Sequence, residues 1–242
     1  MLIYGHRGAQ GEAPESTIAG FRHAIDIGLQ AVEFDVQLTA DQRLVVIHDR
    51  TVDRTTNGSG PVSSFTLEKI RKLDARAQFP DWPDRCQVPT LDEVLNVVGV
   101  LPSLLVEIKR DTPERLDFVV PALLCHIRER DLADRVSISS FDPYALELVQ
   151  RFAPDIPRTM NGAWREPGLG DRAVAAGCTQ VDFDYQQTGS GHVEWARANG
   201  MSIVGWPCNN ATDLETLLGF GVDAVGSDHP TLIQELLTAI VS

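Results

Sequence analysis

A chain of 242 residues, 43% of them hydrophobic, can bury a large core, and its length suits a single α/β barrel domain over residues 1–242. Its 34 acidic against 21 basic residues leave a formal net charge of −13, which repels nucleic acid and anionic membranes and speaks against both as partners. The same charge repels phosphate at long range, so any phosphate site has to be locally positive. No apolar run is long enough to span a bilayer. Met1 leads straight into Leu2-Ile3-Tyr4-Gly5-His6, without a basic n-region and apolar h-region. Cys86, Cys125, Cys178 and Cys208 lie too far apart in sequence for a metal knuckle and read as reduced thiols. The expectation is a soluble, cytoplasmic protein.

Residues 2–5 form an apolar strand that ends at His6. Ser16 is placed to cap a helix on which Ile18, Phe21 and Ile25 share one face, and Gly28 to end it. Val32, Phe34, Val36 and Leu38 then alternate with Glu33, Asp35, Gln37 and Thr39. That is period two, so the polar set points one way and the apolar set the other. Leu44 to Ile47 make another apolar run, with His48 at its end. Residues 50 to about 100 break the rhythm with Thr55-Thr56-Asn57-Gly58, several prolines and helical patterns at 67–73 and 91–98. They read as an insertion over one end of the barrel. The alternation resumes with a strand over 104–108 and a helix face of Val120, Leu123, Leu124 and Ile127. After a strand over 136–139, Asp142-Pro143 opens a helix carrying Ala145, Leu148, Val149 and Phe152. Strands over 158–160, 180–183, 202–205 and 224–226 follow, with a helix of Leu214, Leu217 and Leu218 and a last one of Ile233, Leu236, Leu237 and Ile240. About eight strand-helix units predict a TIM-type (β/α)8 barrel with a small insertion after the second strand region.

Four polar clusters sit at the ends of these apolar runs: His6-Arg7-Gly8, Glu33-Phe34-Asp35, His48-Asp49 and Glu107-Ile108-Lys109. Polar groups at the mouths of buried strands mark chemistry, because burying them elsewhere is costly. Glu33 and Asp35 project the same way about 6.6 Å apart, twice the strand rise, and can share one cation. The alternative is a solvated pair on an exposed strand. Val32, Phe34 and Val36 make this an inner strand, where two unpaired anions raise a pKa unless a cation neutralises them. Glu107 and Lys109 repeat the spacing, as a third oxygen ligand with a cation beside it or as a structural salt bridge. Three carboxylates suit a hard cation, Mg²⁺ or Ca²⁺, whereas the histidine and thiolate set of a zinc site is not apparent. A lone histidine is more often a satisfied core or surface residue. His6 and His48, both at strand ends beside charged neighbours, point instead to an acid/base pair. Arg7 can hold a phosphate oxygen through its planar fork, and Gly8 lets the backbone approach a ligand.

These motifs, in this order, resemble the glycerophosphodiester phosphodiesterase family over essentially the whole chain. The family opens with His-Arg-Gly, then a Pro-Glu-Asn-Thr-like turn, a Glu-x-Asp strand, a His-Asp motif and a later Glu-x-Lys. Here they stand as His6-Arg7-Gly8, Pro14-Glu15-Ser16-Thr17, Glu33-Phe34-Asp35, His48-Asp49 and Glu107-Ile108-Lys109, with Asp53-Arg54-Thr55-Thr56 also similar. The resemblance implies metal-dependent cleavage of a small glycerophosphodiester to sn-glycerol 3-phosphate and an alcohol. It implies His6 and His48 as the acid/base residues, Glu33, Asp35 and Glu107 on the metal, and Arg7 and Lys109 near phosphate. Trp206 and Phe141, at later strand ends, can pack against the glycerol carbons, with core packing the alternative for Phe141. Two departures stand out: Ser16 replaces the family's asparagine, and Trp206-Pro207-Cys208-Asn209 stands where the family often has Trp-Thr-Val-Asn. Pro207 removes a backbone donor there. A phospholipase D-like or cyclising lyase on the same barrel stays open and calls for an exposed apolar lip. The insertion offers Phe65, Phe79, Trp82 and Val88, but interleaved with Asp and Arg. A silent phosphometabolite-binding module lacks an acid/base or metal group, and every such group is present here.

Overall fold

The computed structural model describes residues 1–162 and 165–241, and in it the alternation closes into a ring. The strands in chain order are β1 (Leu2–His6), β2 (Ala31–Leu38), β3 (Leu44–Val46), β4 (Ser103–Ile108), β5 (Val136–Ser140), β6 (Arg158–Gly162), β7 (Gln180–Asp184), β8 (Ser202–Trp206) and β9 (Ala224–Ser227). All but β3 pair in parallel, and β1 joins β2 on one side and β9 on the other, giving the eight-stranded TIM-type barrel. Around it lie α1 (Ile18–Asp26), α2 (Leu67–Ile70), α3 (Leu91–Val98), α4 (Pro113–Glu129), α5 (Pro143–Phe152), α6 (Leu169–Ala175), α7 (Ser190–Ala198), α8 (Ala211–Phe220) and α9 (Pro230–Val241). Among the described residues no helix is long and apolar enough to cross a membrane.

Register sets the site. His6 lies opposite Glu33 across β1 and β2, and Asp35 opposite Glu107 across β2 and β4. All four therefore fall near the carboxyl ends of neighbouring strands, where such barrels carry their chemistry. The other phase of β2 faces the helices: Phe34 is fully buried and meets Phe21 of α1 edge-on, with centroids 5.7 Å apart and planes at 77°. Phe34→Ala is expected to cost about 3–5 kcal/mol of stability, measured by denaturant unfolding, because it removes a fully buried aromatic ring and leaves a cavity against Phe21.

Three expectations need correction. The cap of α1 is Thr17, whose hydroxyl accepts from the Gly20 N–H, and not Ser16. Ser16 is held one residue earlier, at φ +53°, by its N–H bond to the Arg7 carbonyl. His48 does not end a barrel strand: β3 runs antiparallel to β2 as a hairpin, since residues 39–43 are too few for a parallel crossover. The Ile47 N–H donates to the Asp35 carbonyl, which sets His48 beside the end of β2. Finally, the stretch read as an insertion at about 50–100 divides in two. Helix α3 packs in the main core as the barrel's own crossover before β4, whereas Val45, Ile47, Val52, Val62, Ile70, Ala75, Cys86 and Val88 form a small separate core. Phe65 and Trp82 pack partly buried against that small core, so they are not a free apolar lip. Phe152, on the helix with Ala145, Leu148 and Val149, is 47% exposed and lies under the Arg151 guanidinium.

Candidate active site

The inward phases of β2 and β4 bring Glu33, Asp35 and Glu107 together, with carboxylate oxygens all within 4.8 Å of one another. All three residues are buried. The Lys109 Nζ lies 2.7 Å from Asp35 Oδ1 and 2.6 Å from Glu107 Oε1. The Arg7 backbone N–H donates to Glu33 Oε2 over 3.1 Å, and its Nε stands 3.8 Å from Asp35 Oδ2. That reach depends on a tight turn in which Arg7 takes φ +52° and Gly8 φ +91°. A side chain at Gly5 would meet the Gly8 carbonyl oxygen at 2.0 Å, so the turn closes only over a glycine. A non-glycine residue in this conformation stores strain that the surrounding contacts must hold.

Burial and the charges of Asp35 and Glu107 push the Glu33 carboxyl well above its usual range. Burial also lifts Glu107, to about 7, against the pull of Lys109. Asp35 goes the other way, to about 2: burial is outweighed by the positive charges of Lys109, His48 and Arg7. The buried Asp35 Oδ2 has no hydrogen-bond partner among the described residues. Crowded acidic oxygens, one of them orphaned, fit a hard divalent cation better than they fit an empty core.

A pH dependence follows. Glu33 and Glu107 bind protons more tightly folded than unfolded, so without a cation they favour folding below pH 4.5. That contribution is lost as pH rises through about 7, where Glu107 ionises in the folded chain. A cation bound to the ionised carboxylates would reverse the loss. Calorimetric melting should show the gap in Tm between metal-loaded and chelator-treated protein widening from pH 4.5 to about 7. A constant gap would count against shared ligation.

The two histidines are held alike. His6 Nδ1 lies 2.6 Å from Asp228 Oδ1, and Asp228 is fixed by Gln10 Nε2 at 2.6 Å and Asn209 Nδ2 at 2.8 Å. His48 Nδ1 lies 2.7 Å from Asp49 Oδ1, and Arg54 donates to both Asp49 oxygens and to Glu15. Glu15 in turn accepts from Arg7 over 3.1 Å. A carboxylate on each Nδ1 fixes its proton there and leaves Nε2 as the working nitrogen. The His6 Nε2 stands 3.9 Å from Glu33 Oε2. Burial holds the His48 pKa below its usual value, with Lys109 and Arg7 adding to it and Asp35 opposing. Burial would raise the Asp228 pKa, yet the His6 bond and charge hold it well below the carboxylate range.

A cavity of about 320 Å³ is lined by both histidines, Arg7, Glu33 and Glu107, with Phe141 and Trp206 among its apolar walls. Lys109 was expected to point at this cavity, but its ammonium is engaged by Asp35 and Glu107 and is not part of the wall. Trp206 ends β8 and is joined to Pro207 by a cis peptide bond. All eight residues singled out in the sequence thus converge on one pocket or on its supporting shell. Sequence reading missed Asp228, Gln10, Asn209, Arg54, Asn161 and Asp182. Arg54 and Asn209 stand in segments already set beside the family's motifs, though without a role of their own, and Asp228 follows the last strand much as His6 ends the first.

Comparison with known proteins agrees with this fold. Residues 6–232 match the model of the Glycerophosphoryl diester phosphodiesterase family. A glycerophosphodiester phosphodiesterase of Caldanaerobacter subterraneus subsp. tengcongensis is 36% identical over 240 residues, covering 98% of this chain and 97% of that one. A glycerophosphoryl diester phosphodiesterase structure from Silicibacter pomeroyi superposes with TM-score 0.90 at 27% identity, covering 99% of this chain and 94% of that one. An Oleispira antarctica phosphodiesterase in complex with the product sn-glycerol-3-phosphate superposes with TM-score 0.89 at 26% identity, covering 100% and 97%.

Proposed function

The chain belongs to the glycerophosphoryl diester phosphodiesterase family and is a phosphoric diester hydrolase acting on glycerophosphodiesters; on that premise we propose that His6 and His48 are its acid/base pair and that Glu33, Asp35 and Glu107 hold a divalent cation, Mg²⁺ or Ca²⁺. The observation that carries the proposal is that both imidazoles line the one cavity into which Glu33 and Glu107 also open. Residues 1–242 act as one domain in this reading. The free thiols and the net charge of −13 favour the cytoplasm and a small soluble substrate over nucleic acid or a stable membrane association.

A divalent cation bound there supplies positive charge to the phosphoryl oxygens as they gain negative charge. Arg7, at the cavity wall, adds a fork of donors to one of those oxygens. One imidazole Nε2 takes the proton from the nucleophile, either water or the glycerol 2-hydroxyl. The other donates to the oxygen of the leaving alcohol. Asp228 and Asp49 stabilise whichever ring is protonated. Lys109 holds Asp35 and Glu107 in place and offsets part of the negative charge of the three carboxylates. Trp206 offers an apolar face for the glycerol carbons. Attack by water gives sn-glycerol 3-phosphate and an alcohol directly, whereas attack by the 2-hydroxyl would release the alcohol and leave a cyclic phosphate that water then opens to sn-glycerol 3-phosphate.

The test is a panel of glycerophosphodiesters bearing choline, ethanolamine, glycerol or inositol, read by release of glycerol 3-phosphate with and without chelator. Chelator-sensitive release is expected. A cyclic phosphate persisting in the phosphorus NMR spectrum would favour the lyase instead.

A further inference from the structure

Deep in the cavity, β6 and β7 contribute two polar side chains that the reaction above leaves unused. Asn161 and Asp182 lie opposite each other in register, line the cavity, and are only 4% and 7% exposed. The Asn161 amide nitrogen donates to Glu107 Oε2 over 3.1 Å, which fixes the orientation of the amide. Its Oδ1 is thereby turned away from Glu107, and it is buried with no hydrogen-bond partner among the described residues. The Asp182 Oδ1 is likewise buried and unpartnered. Burial, with the nearby Glu107 charge adding to it, pushes the Asp182 carboxyl well above its usual range. The Asp182 carboxyl and the Asn161 amide oxygen both offer acceptors to a hydroxyl.

Buried polar atoms without partners are rare and costly, so two of them on one cavity wall call for something that enters the cavity. Around them the wall is apolar: Tyr4, Leu105 and Val204. Two oxygens set in an apolar wall match a short carbon chain bearing neighbouring hydroxyls.

We propose that Asp182 and Asn161 form a hydroxyl-recognition subsite that binds the glycerol hydroxyls of the substrate and so sets the selectivity of the pocket for glycerol-bearing phosphates. The subsite rests on the proposed function, since it deepens the account of the same cavity. It places glycerol inward and leaves the variable head group toward solvent. A cationic head group is the competing occupant, and Asp182→Asn separates the two. The amide keeps a donor and an acceptor for a hydroxyl but loses any pairing with an ammonium.

The experiment is calorimetric titration of the metal-loaded full chain with sn-glycerol 3-phosphate and with ethyl phosphate, which lacks the hydroxyls. The wild type should prefer glycerol 3-phosphate by about tenfold or more, as sites built to bond a hydroxyl reject its deoxy analogue. Asp182→Ala should reduce that preference to about threefold or less, and Asp182→Asn should retain most of it. The Asp182→Ala melting temperature should match or exceed that of the wild type, because the carboxyl lost had no partner. An unchanged preference in Asp182→Ala, or a fall of several degrees in its Tm, overturns the subsite. So does an Asp182→Asn defect confined to hydrolysis of the choline and ethanolamine diesters. A wild type that binds both phosphates equally while hydrolysing glycerophosphodiesters overturns the subsite alone. A wild type that hydrolyses none of them overturns the proposed function and takes the subsite with it.

Discussion

His6→Ala and His48→Ala are each expected to lower kcat on a glycerophosphodiester by about 10²–10⁴, the usual contribution of a positioned acid or base. Both rings present the same architecture, a carboxylate on Nδ1 and Nε2 left for the cavity, so neither is a bystander by geometry. The double variant should lose less than the product of the two single losses, because groups that act as a unit are not additive. Asp228→Asn and Asp49→Asn should weaken turnover less, by about tenfold to a hundredfold, since each leaves its imidazole present but poorly oriented. Steady-state kinetics with a soluble diester decides the matter, and near wild-type turnover in either alanine variant refutes the acid/base assignment.

The second large effect comes from the carboxylates, and it separates stability from activity. Glu33→Gln and Asp35→Asn should each reduce kcat/KM by about 10² or more, by removing a proposed ligand of the divalent cation. Their effects on the metal-free protein should be opposite in sign. Glu33 is burdened by burial and by two neighbouring anions, so its neutral amide relieves repulsion and raises Tm. Its acceptor role toward the Arg7 N–H survives in the glutamine carbonyl. Asp35 is the partner of Lys109, and its amide leaves that buried ammonium with Glu107 alone, lowering Tm. Calorimetric melting in chelator measures both. Equal shifts of one sign would mean that the three acids do not share one electrostatic site.

The barrel and the centre of the site were legible in the sequence because they follow from local alternation. The period-two phase of residues 31–38 puts Glu33 and Asp35 on one face, and the structure keeps that phase. What local pattern cannot show is who meets whom across the ring. Asp228 reaches His6 across 222 positions of sequence, and Asn161 reaches Glu107 across 54. β7 reads Gln180-Val181-Asp182-Phe183-Asp184, with the same period-two alternation as β2, but nothing local says that Asp182 faces Asn161 and lies near Glu107 inside the ring. The hairpin strand β3 was hidden for another reason. An apolar run of this length reads the same in either direction, and only the short turn at 39–43 decides that it folds back on β2. The cap of α1 moved from Ser16 to Thr17 because the bond from the Ser16 N–H to the Arg7 carbonyl ties Ser16 to the turn at residues 6–8 and not to the helix.

The central claim is that three acidic side chains share one divalent ion beside two imidazoles. Crystals grown with Mn²⁺, a hard cation with a measurable anomalous signal, test it directly. One anomalous peak within about 2.6 Å of carboxylate oxygens from Glu33, Asp35 and Glu107 is the predicted result. A peak held by other residues, or none at saturating Mn²⁺, contradicts it.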